Sequence, residues 1–368
     1  MDIHAIDHVE FYVGDARQAA FVLCGAFGFR LCGRGGPETG LAGQRSLLLA
    51  HGASRVLLTS ALDAKHPAAE FVARHGDGVA VIALGTGDAA AAYAEAVDGG
   101  AAPLEPPRTR ELGGCAVTTA AVSGFGDVVH RLVERHGSDG GPGPFLPGAV
   151  REDAAPPDAQ PDAGLVECID HAAVCLPAGE LEPTVRRYRE AFGFAPIFEE
   201  YVEIGGQGMF SQVVQSASGG ATFTLIQPDA QRRPGQIDDF LAWHDGAGVQ
   251  HLALRTEDIV AAVRVMSSHG VGFAFTPDAY YDALPDRLGE TDVPLDLLRE
   301  QGILADRDHW GRMYQIFAKS IHVRDTYFWE LIERRGARTF GTSNIPALYE
   351  AKERELAAVR DTAGAAGR

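Results

Sequence analysis

Cysteine is scarce in this chain, which has five in 368 residues: Cys24, Cys32, Cys115, Cys168 and Cys175. Their number is odd and none forms a CxxC pair, which argues against a disulfide framework or a zinc ribbon, and a reducing compartment fits best. The start, MDIHAIDHVEFYV, lacks the basic region of a signal peptide. No apolar run approaches the roughly 20 residues that span a bilayer. We therefore expect a cytoplasmic protein with no membrane partner.

Basic residues are also in the minority, with 32 Lys and Arg against 50 Asp and Glu and a net charge of -18. An acidic surface disfavours nucleic acid as a partner. The net charge does not exclude a small anionic substrate, because charged groups near a binding site can override the mean charge of the protein. The length and the 46% hydrophobic content suffice for two domains with sizeable cores.

Residues 138–164 contain few large apolar side chains and are rich in Pro, Gly, Asp and Ala instead. This composition predicts a linker over residues 138–164. The expected division is a non-catalytic N-terminal domain at 1–137, a C-terminal catalytic domain at 165–360 and a frayed tail at 361–368.

The two halves have similar patterns. Each opens with a short alternating strand, followed by a helical stretch that ends in Phe-Gly-Phe, a strand-rich region and a second strand-helix pair. The repeat predicts four βαβββ modules and an α+β fold, with two half-open, barrel-like sheets. About 29 residues are extra near the end of the second half, within Asp278–Gln315, where a pocket wall or lid is expected.

Three landmarks align the halves: IDHVEFYV with IDHAAVCL, GDGVAVIAL with GAGVQHLAL, and HRLVERHG with FWELIERRG. The alignment pairs one residue of each half at three places: His8 with His171, Val81 with His251, and Arg131 with Glu330. Two histidines and a carboxylate in the second half thus become His, Val and Arg in the first. Because Val and Arg do not bind a metal ion, we expect the first half to be a structural partner.

A metal site explains why the second half carries His171, His251 and Glu330. Glu330 lies on an apolar strand face, and a buried carboxylate needs a partner such as a cation. Two imidazoles and one carboxylate leave three open positions on an octahedral ion, as in non-haem Fe(II) oxygenases. Zinc also accepts these ligands. A competing histidine, His244, precedes a glycine-rich turn and is interpreted as an exposed loop residue.

The glycines at Gly85–Ala90 match a dinucleotide-binding motif only weakly, since GxGxxA alone is unspecific. The matching turn of the second half, Arg255–Asp258, has no glycine. We expect Asp88 and Asp258 to cap the helices that follow them.

The motifs of the second half resemble the 4-hydroxyphenylpyruvate dioxygenase family, which has the vicinal-oxygen-chelate fold. They are IDH at Ile169, GAGVQHLAL, YYDAL, ILADRD, QIFAK, FWELIERRG and TFGTSNIPALYEAKERE. The resemblance covers nearly the whole chain and implies that His171, His251 and Glu330 bind Fe(II). It also implies that the substrates are 4-hydroxyphenylpyruvate and O2, and it leaves a homodimer open.

This family has two activities on that substrate. One branch attacks the aromatic ring and makes homogentisate, whereas the other hydroxylates the benzylic carbon and makes 4-hydroxymandelate. Thr224-Leu-Ile-Gln227 replaces the Pro-(Leu/Ile)-Asn-Glu run that is usual in the first branch. In the C-terminal motif, Ser343 replaces a glycine, and Ile345 and Tyr349 each replace a phenylalanine. These exchanges favour 4-hydroxymandelate, a product that implies a role in supplying antibiotic biosynthesis. The alternative is that these exchanges change only the packing around the pocket.

Six residues are predicted to surround the substrate: Ser211, Thr224, Gln315, Phe328, Phe340 and Tyr349. Ser343 is expected to cap a last helix whose face, with Ile345 and Leu348, closes the pocket or simply packs in the core. No separate acid or base is assigned, because the chemistry is centred on the metal. The alternatives to 4-hydroxymandelate formation are homogentisate formation and a non-catalytic ligand-binding protein of the same fold.

Overall fold

A computed structural model describes residues 1–137, 143–152, 164–341, 343–348, 350 and 351. Within these residues the chain forms four βαβββ modules in two large sheets, which confirms the predicted fold class. Tyr349, most of the predicted linker and the predicted tail lie outside the described residues.

The first half has two modules, joined by α2, and a short additional strand. Their elements are β1 (Ile3–Tyr12), α1 (Ala16–Phe27), β2 (Arg30–Gly35), a 3-10 helix (Pro37–Thr39), β3 (Gln44–His51), β4 (Ser54–Ala61), α2 (Pro67–His75), β5 (Gly78–Thr86), α3 (Ala89–Asp98), β6 (Pro103–Leu112), β7 (Cys115–Ser123), β8 (Val129–His136) and β9 (Arg151–Glu152).

The second half repeats this order, with α5 between its modules and three short helices inserted into the last one. Its elements are β10 (Cys168–Cys175), α4 (Leu181–Phe192), β11 (Ala195–Ile204), β12 (Gln207–Gln215), β13 (Thr222–Pro228), α5 (Gln236–His244), β14 (Gly248–Arg255), α6 (Ile259–Ser268), α7 (Asp278–Asp282), α8 (Leu284–Leu288), α9 (Leu295–Gln301), β15 (Leu304–Arg307), β16 (Arg312–Phe317) and β17 (Phe328–Arg335).

Local sequence fixes the ends of the repeated helices. Asp15 accepts hydrogen bonds from the N–H groups that open α1, and Asp88 and Asp258 cap α3 and α6 as predicted. Gly28 and Gly193 end α1 and α4 with φ of 70° and 68°, a left-handed conformation that favours glycine. The repeated Phe-Gly-Phe motif is therefore a helix stop, and its phenylalanines are buried.

The two sheets have the same pattern of strand pairing. In each module the first and last strands pair in parallel, and β1 with β5, or β10 with β14, joins two modules in antiparallel fashion. The strand order in the second sheet is β11-β12-β13-β10-β14-β17-β16-β15. The first strands of both modules are therefore central, and the side chains on one face of β10, β14 and β17 lie next to one another.

The predicted linker needs a correction at residues 143–152. This segment is part of the first half, because β9 pairs with β2 and because Phe145 and Val150 pack against Leu48 and Leu57. Its glycines and prolines suggested a linker, but its few apolar side chains find buried positions against the first sheet.

The two halves share a hydrophobic core. Trp329 of β17 lies against Phe11, Phe27 and Phe29 of the first half, with ring centroids 5.8–5.9 Å apart. Helix α3 packs on α4 so closely that a Cβ at Gly99 would overlap the carbonyl of Glu190. The first half thus supports the sheet that carries the candidate site.

No helix within the described residues is long and apolar enough to cross a membrane. The five cysteines are free thiols.

Candidate metal centre and substrate cavity

Strand register brings His171, His251 and Glu330 together. On β10, β14 and β17, His171 lies opposite Ala253, which lies opposite Glu330. His251 is two residues before Ala253 and therefore projects from the same face. One ligand atom from each of the three side chains lies within 4.8 Å of the other two. The small Ala253 leaves space between the two outer ligands.

Both histidines direct Nε2 at one carboxylate oxygen. The distances to Oε2 of Glu330 are 3.4 Å from His171 and 3.2 Å from His251. All three side chains are buried. Glu330 thus provides the negative charge of a compact site with two nitrogen donors.

The electrostatics are those of a site prepared for a cation. Burial works to raise the pKa of Glu330, but hydrogen bonds from the two histidines outweigh it and lower the pKa to about 2. Burial opposes the charged form of His171, yet Asp170 and Glu330 raise its pKa to about 9. The lowered pKa of Glu330 thus favours its charged carboxylate form.

Two residues that the sequence reasoning missed lie behind His171. Its Nδ1 is 2.8 Å from Oδ1 of Asp170, and Arg334 donates two hydrogen bonds of 2.8 Å to the same carboxylate. These bonds keep the pKa of Asp170 below its usual range, although burial opposes this. The sequence did carry a signal, since Ile-Asp-His and Glu-Arg occur in both halves at matching places.

A cavity of about 700 Å³ opens beside the three ligands. Five of the six predicted substrate residues line it: Ser211, Thr224, Gln315, Phe328 and Phe340. The sixth, Tyr349, lies outside the described residues. Phe328 stacks on the ring of His251 at 5.0 Å and Phe340 meets His171 edge-on at 5.0 Å, so aromatic rings flank the ligands on two sides.

Several polar side chains line this cavity, and two of them have an unsatisfied atom. Among the described side chains, Oγ1 of Thr224 and Oε1 of Gln315 are buried without a hydrogen-bond partner. Buried polar atoms are normally paired, so these two mark places where a bound molecule is expected to supply a partner. The described lining includes no lysine or arginine.

Further lining residues come from the start of α5 and from β14, among them Gln236, Ile237 and Gln250. The sequence reasoning missed all three. For Gln236 and Ile237 the reason is that the approach of α5 to the sheet is a tertiary contact without a local signal, whereas Gln250 adjoins His251 on β14.

The last described helix closes one side of the cavity. Residues 344–348, 350 and 351 are helical, and Ile345 and Leu348 line the cavity. Ser343 precedes this helix as predicted, but its hydroxyl donates to Asp306 at 2.6 Å instead of capping the helix. Asp306 also accepts from the backbone N–H of Ser343 at 2.9 Å, and this bond fixes the start of the helix.

The inserted helices support this wall from behind. Of the predicted insert at Asp278–Gln315, only Gln315 on β16 lines the cavity, so the inserted helices form neither its wall nor a lid. Instead, Tyr280 and Arg287 donate hydrogen bonds of 2.7 and 3.1 Å to Oδ1 of Asn344 at the start of the last helix.

His244 is not an exposed loop residue, and that prediction was wrong. It ends α5, is 4% exposed and stacks on His75 of the first half at 4.4 Å. Burial is the main cause that lowers its pKa to about 4. Its place is therefore the contact between the halves, away from the three ligands.

The first half confirms the internal alignment. His8 lies opposite Ala83, which lies opposite Arg131, as His171, Ala253 and Glu330 do in the second half. Arg131 forms an ion pair of 2.8 Å with Glu10. Arginine and carboxylate thus fill the place that corresponds to the candidate metal centre.

Comparison with known proteins agrees with this geometry. Residues 5–138 and 168–284 match the Glyoxalase/Bleomycin resistance protein/Dioxygenase superfamily. The chain is 33% identical to a probable 4-hydroxyphenylpyruvate dioxygenase 2 of Aspergillus fumigatus, over 95% of this chain and 93% of that protein. It is 31% identical to the 4-hydroxyphenylpyruvate dioxygenase of Yarrowia lipolytica, over 95% and 92%.

A solved structure is more similar in sequence than these two relatives. It is a triple mutant of the 4-hydroxymandelate synthase from Streptomyces coelicolor, with 41% identity, a TM-score of 0.84, and coverage of 97% of this chain and 100% of that one.

Proposed function

The chain belongs to the 4-hydroxyphenylpyruvate dioxygenase family, and on that premise we propose that it converts 4-hydroxyphenylpyruvate and O2 into 4-hydroxymandelate and CO2. The observation that carries the choice of product is the 41% identity to a 4-hydroxymandelate synthase over 97% of this chain, against 31–33% to the dioxygenases described above. One oxygen atom of O2 enters the new carboxylate and the other the benzylic hydroxyl, while the old carboxylate leaves as CO2.

The side chains fit a single Fe(II) ion held by His171, His251 and Glu330. Two imidazole nitrogens and a carboxylate within 4.8 Å form the donor set of non-haem iron oxygenases, in which three coordination positions remain for other ligands. When bound, this ion would supply the activation of O2 and the oxidation of the keto acid. The same set also accepts zinc, so the choice of Fe(II) rests on the family.

The cavity suits a small aromatic keto acid. Phe328 and Phe340 provide apolar surface beside the ligands and exclude water from the reacting carbon. The hydroxyl of Thr224 can donate to a substrate oxygen, and Oε1 of Gln315 can accept from the substrate's phenol hydroxyl. Tyr349 stays a candidate from the sequence.

The identity of residue 226 supports benzylic hydroxylation. Ile226 lines the cavity where the ring-attacking branch usually carries an amide, so no hydrogen bond to the ring or its oxygen is available there. A ring that is held differently by about an ångström presents a different carbon to the oxidant. On β12, Ser211 lies directly opposite Ile226 and supplies a hydroxyl instead.

Product analysis tests the proposal. Purified protein is incubated with Fe(II), ascorbate, O2 and 4-hydroxyphenylpyruvate, and the products are separated against standards. Because 4-hydroxymandelate and homogentisate are isomers, chromatography and not mass decides between them. We expect 4-hydroxymandelate, and its loss in His251→Ala; homogentisate as the main product would overturn the proposal.

The second candidate is a 4-hydroxyphenylpyruvate dioxygenase, which the identities of 31–33% over more than nine-tenths of those relatives favour. A ligand-binding protein without catalysis would give neither product and would keep its ligand affinity in His251→Ala. A homodimer and a cytoplasmic location also remain predictions, for light scattering and cell fractionation respectively.

A further inference from the structure

Both halves carry the same three side chains behind their first histidine, and we call each set an outer bracket. In the second half it consists of Asp170, Arg334 and Phe340. The Arg334 guanidinium binds both oxygens of Asp170 at 2.8 Å, lies 4.9 Å from the centre of the Phe340 ring and donates to the carbonyl of Thr339 at 2.7 Å. Phe340 in turn meets the ring of His171 edge-on.

The outer bracket of the first half consists of Asp7, Arg135 and Phe145. Arg135 binds both oxygens of Asp7 at 2.7 Å and lies 5.2 Å from the centre of the Phe145 ring. Nδ1 of His8 is 2.6 Å from Asp7, and Phe145 meets His8 edge-on at 4.7 Å. The ring is thus held from behind as in the second half.

The two histidines differ on the other side of the ring. Nε2 of His171 faces the carboxylate of Glu330, whereas Nε2 of His8 lies 3.5 Å from the guanidinium of Arg131. An outer bracket therefore forms where the ligand set is absent, so its contribution to folding can be measured in the first half without any effect on the metal.

We propose that Asp170 and Arg334 are positioning residues for the metal centre, which hold His171 in the ring orientation and tautomer that bind the ion. A carboxylate only accepts hydrogen bonds, so Nδ1 carries the proton and Nε2 keeps its lone pair for the metal. The two-point contact with Arg334 fixes the plane of the Asp170 carboxylate. This inference rests on the metal centre of the proposed function.

The other histidine has a weaker support. Nδ1 of His251 is 3.3 Å from the neutral amide oxygen of Gln250, a longer contact than the 2.8 Å between His171 and Asp170. Charged acceptors form stronger hydrogen bonds than neutral ones. A charged acceptor therefore orients the ring of His171, whereas His251 has only a neutral one.

The matched pair Asp170→Asn and Asp7→Asn tests the proposal. Asparagine keeps the size of the side chain and removes the charge. Metal-free protein is titrated with Co(II) by calorimetry, and thermal melting of the metal-free variants is measured alongside. We expect both variants to lower the melting temperature, but only Asp170→Asn to weaken Co(II) binding, by about 10- to 100-fold. Equal Co(II) affinities in the two variants would overturn the proposal.

Arg334→Lys and Arg135→Lys provide a second matched pair if Asp170→Asn does not melt cooperatively. Lysine keeps the charge but loses the two-point contact. Weaker Co(II) binding in Arg334→Lys alone supports the proposal, and unchanged binding in both overturns it. If the unsubstituted protein binds no Co(II), the metal centre of the proposed function fails as well. If the unsubstituted protein binds Co(II) and the second-half variants bind it equally tightly, this inference alone fails.

Discussion

Arg131 and Glu10 stand in the first half where the second half is proposed to hold a metal ion, and their removal has a calculable cost. Glu10 is 3% exposed and accepts from Arg131 at 2.8 Å and from Thr59 at 2.7 Å. Arg131→Met removes the positive charge and leaves a buried carboxylate, a change that typically costs about 3–5 kcal/mol. Because 19% of the Arg131 side chain is exposed and water can partly replace it, we take the lower limit, about 3 kcal/mol.

This cost translates into a melting temperature. With about 2.1 cal/mol/K of unfolding entropy per residue over 368 residues, 3 kcal/mol corresponds to a decrease of about 4 °C. The assay is thermal unfolding of the metal-free protein, followed by circular dichroism. Co(II) binding serves as the control and is expected to be unchanged, since the substituted residue lies in the other half.

The double variant Glu10→Gln/Arg131→Met separates charge from packing. It leaves no unpaired charge, so it is expected to recover most of the lost stability. A melting temperature of Arg131→Met within 1 °C of the unsubstituted protein would refute the reasoning, as would a double variant less stable than the single one.

Three further outcomes are expected. Asn344→Ala removes the acceptor for Tyr280 and Arg287 and loosens the helix that closes the cavity, so KM should rise several-fold in oxygen-consumption assays while Co(II) affinity stays unchanged; an unchanged KM would count against this role. Burial lowers the pKa of His130 to about 4 from 6.5. Since the unfolded chain takes up the proton first, stability is full above pH 6.5 and about 3 kcal/mol is lost as the pH falls to 4. Denaturant titrations from pH 7 to pH 4 should therefore show a smaller loss of unfolding free energy for His130→Gln than for the unsubstituted protein. An equal loss in the two proteins would contradict the lowered pKa of His130. Finally, the described cavity lining has no lysine or arginine to pair with the substrate's carboxylate, so metal-free protein should bind 4-hydroxyphenylpyruvate at least ~100-fold more weakly than Co(II)-loaded protein by calorimetry. Equal affinities would show that the metal does not hold the keto acid.

The arrangement of the modules was predictable because the sequence contains its own comparison. Aligning the halves drew attention to His171, His251 and Glu330, and the module repeat placed them on three strands that meet in the sheet. Strand periodicity then indicated which neighbours share their face. The same repeat contained Asp170 and Arg334, which were overlooked because an acid and a base next to a landmark resemble ordinary surface charges.

Other features depend on contacts that the sequence does not display. Residues 143–152 look like a linker, yet Phe145 is held by Arg135 and covers His8. The burial of His244 results from stacking on His75, 169 positions away in the chain. Local composition describes what a segment tends to do alone, and in both cases a partner from elsewhere in the fold decides its position.

One metal ion is expected to bind in the second half of the chain and none in the first. Metal-free protein titrated with Fe(II) without oxygen should bind one equivalent per chain. His251→Ala should bind none, and His8→Gln should still bind one. Two equivalents in the unsubstituted protein, or one equivalent that survives in His251→Ala, would contradict the account.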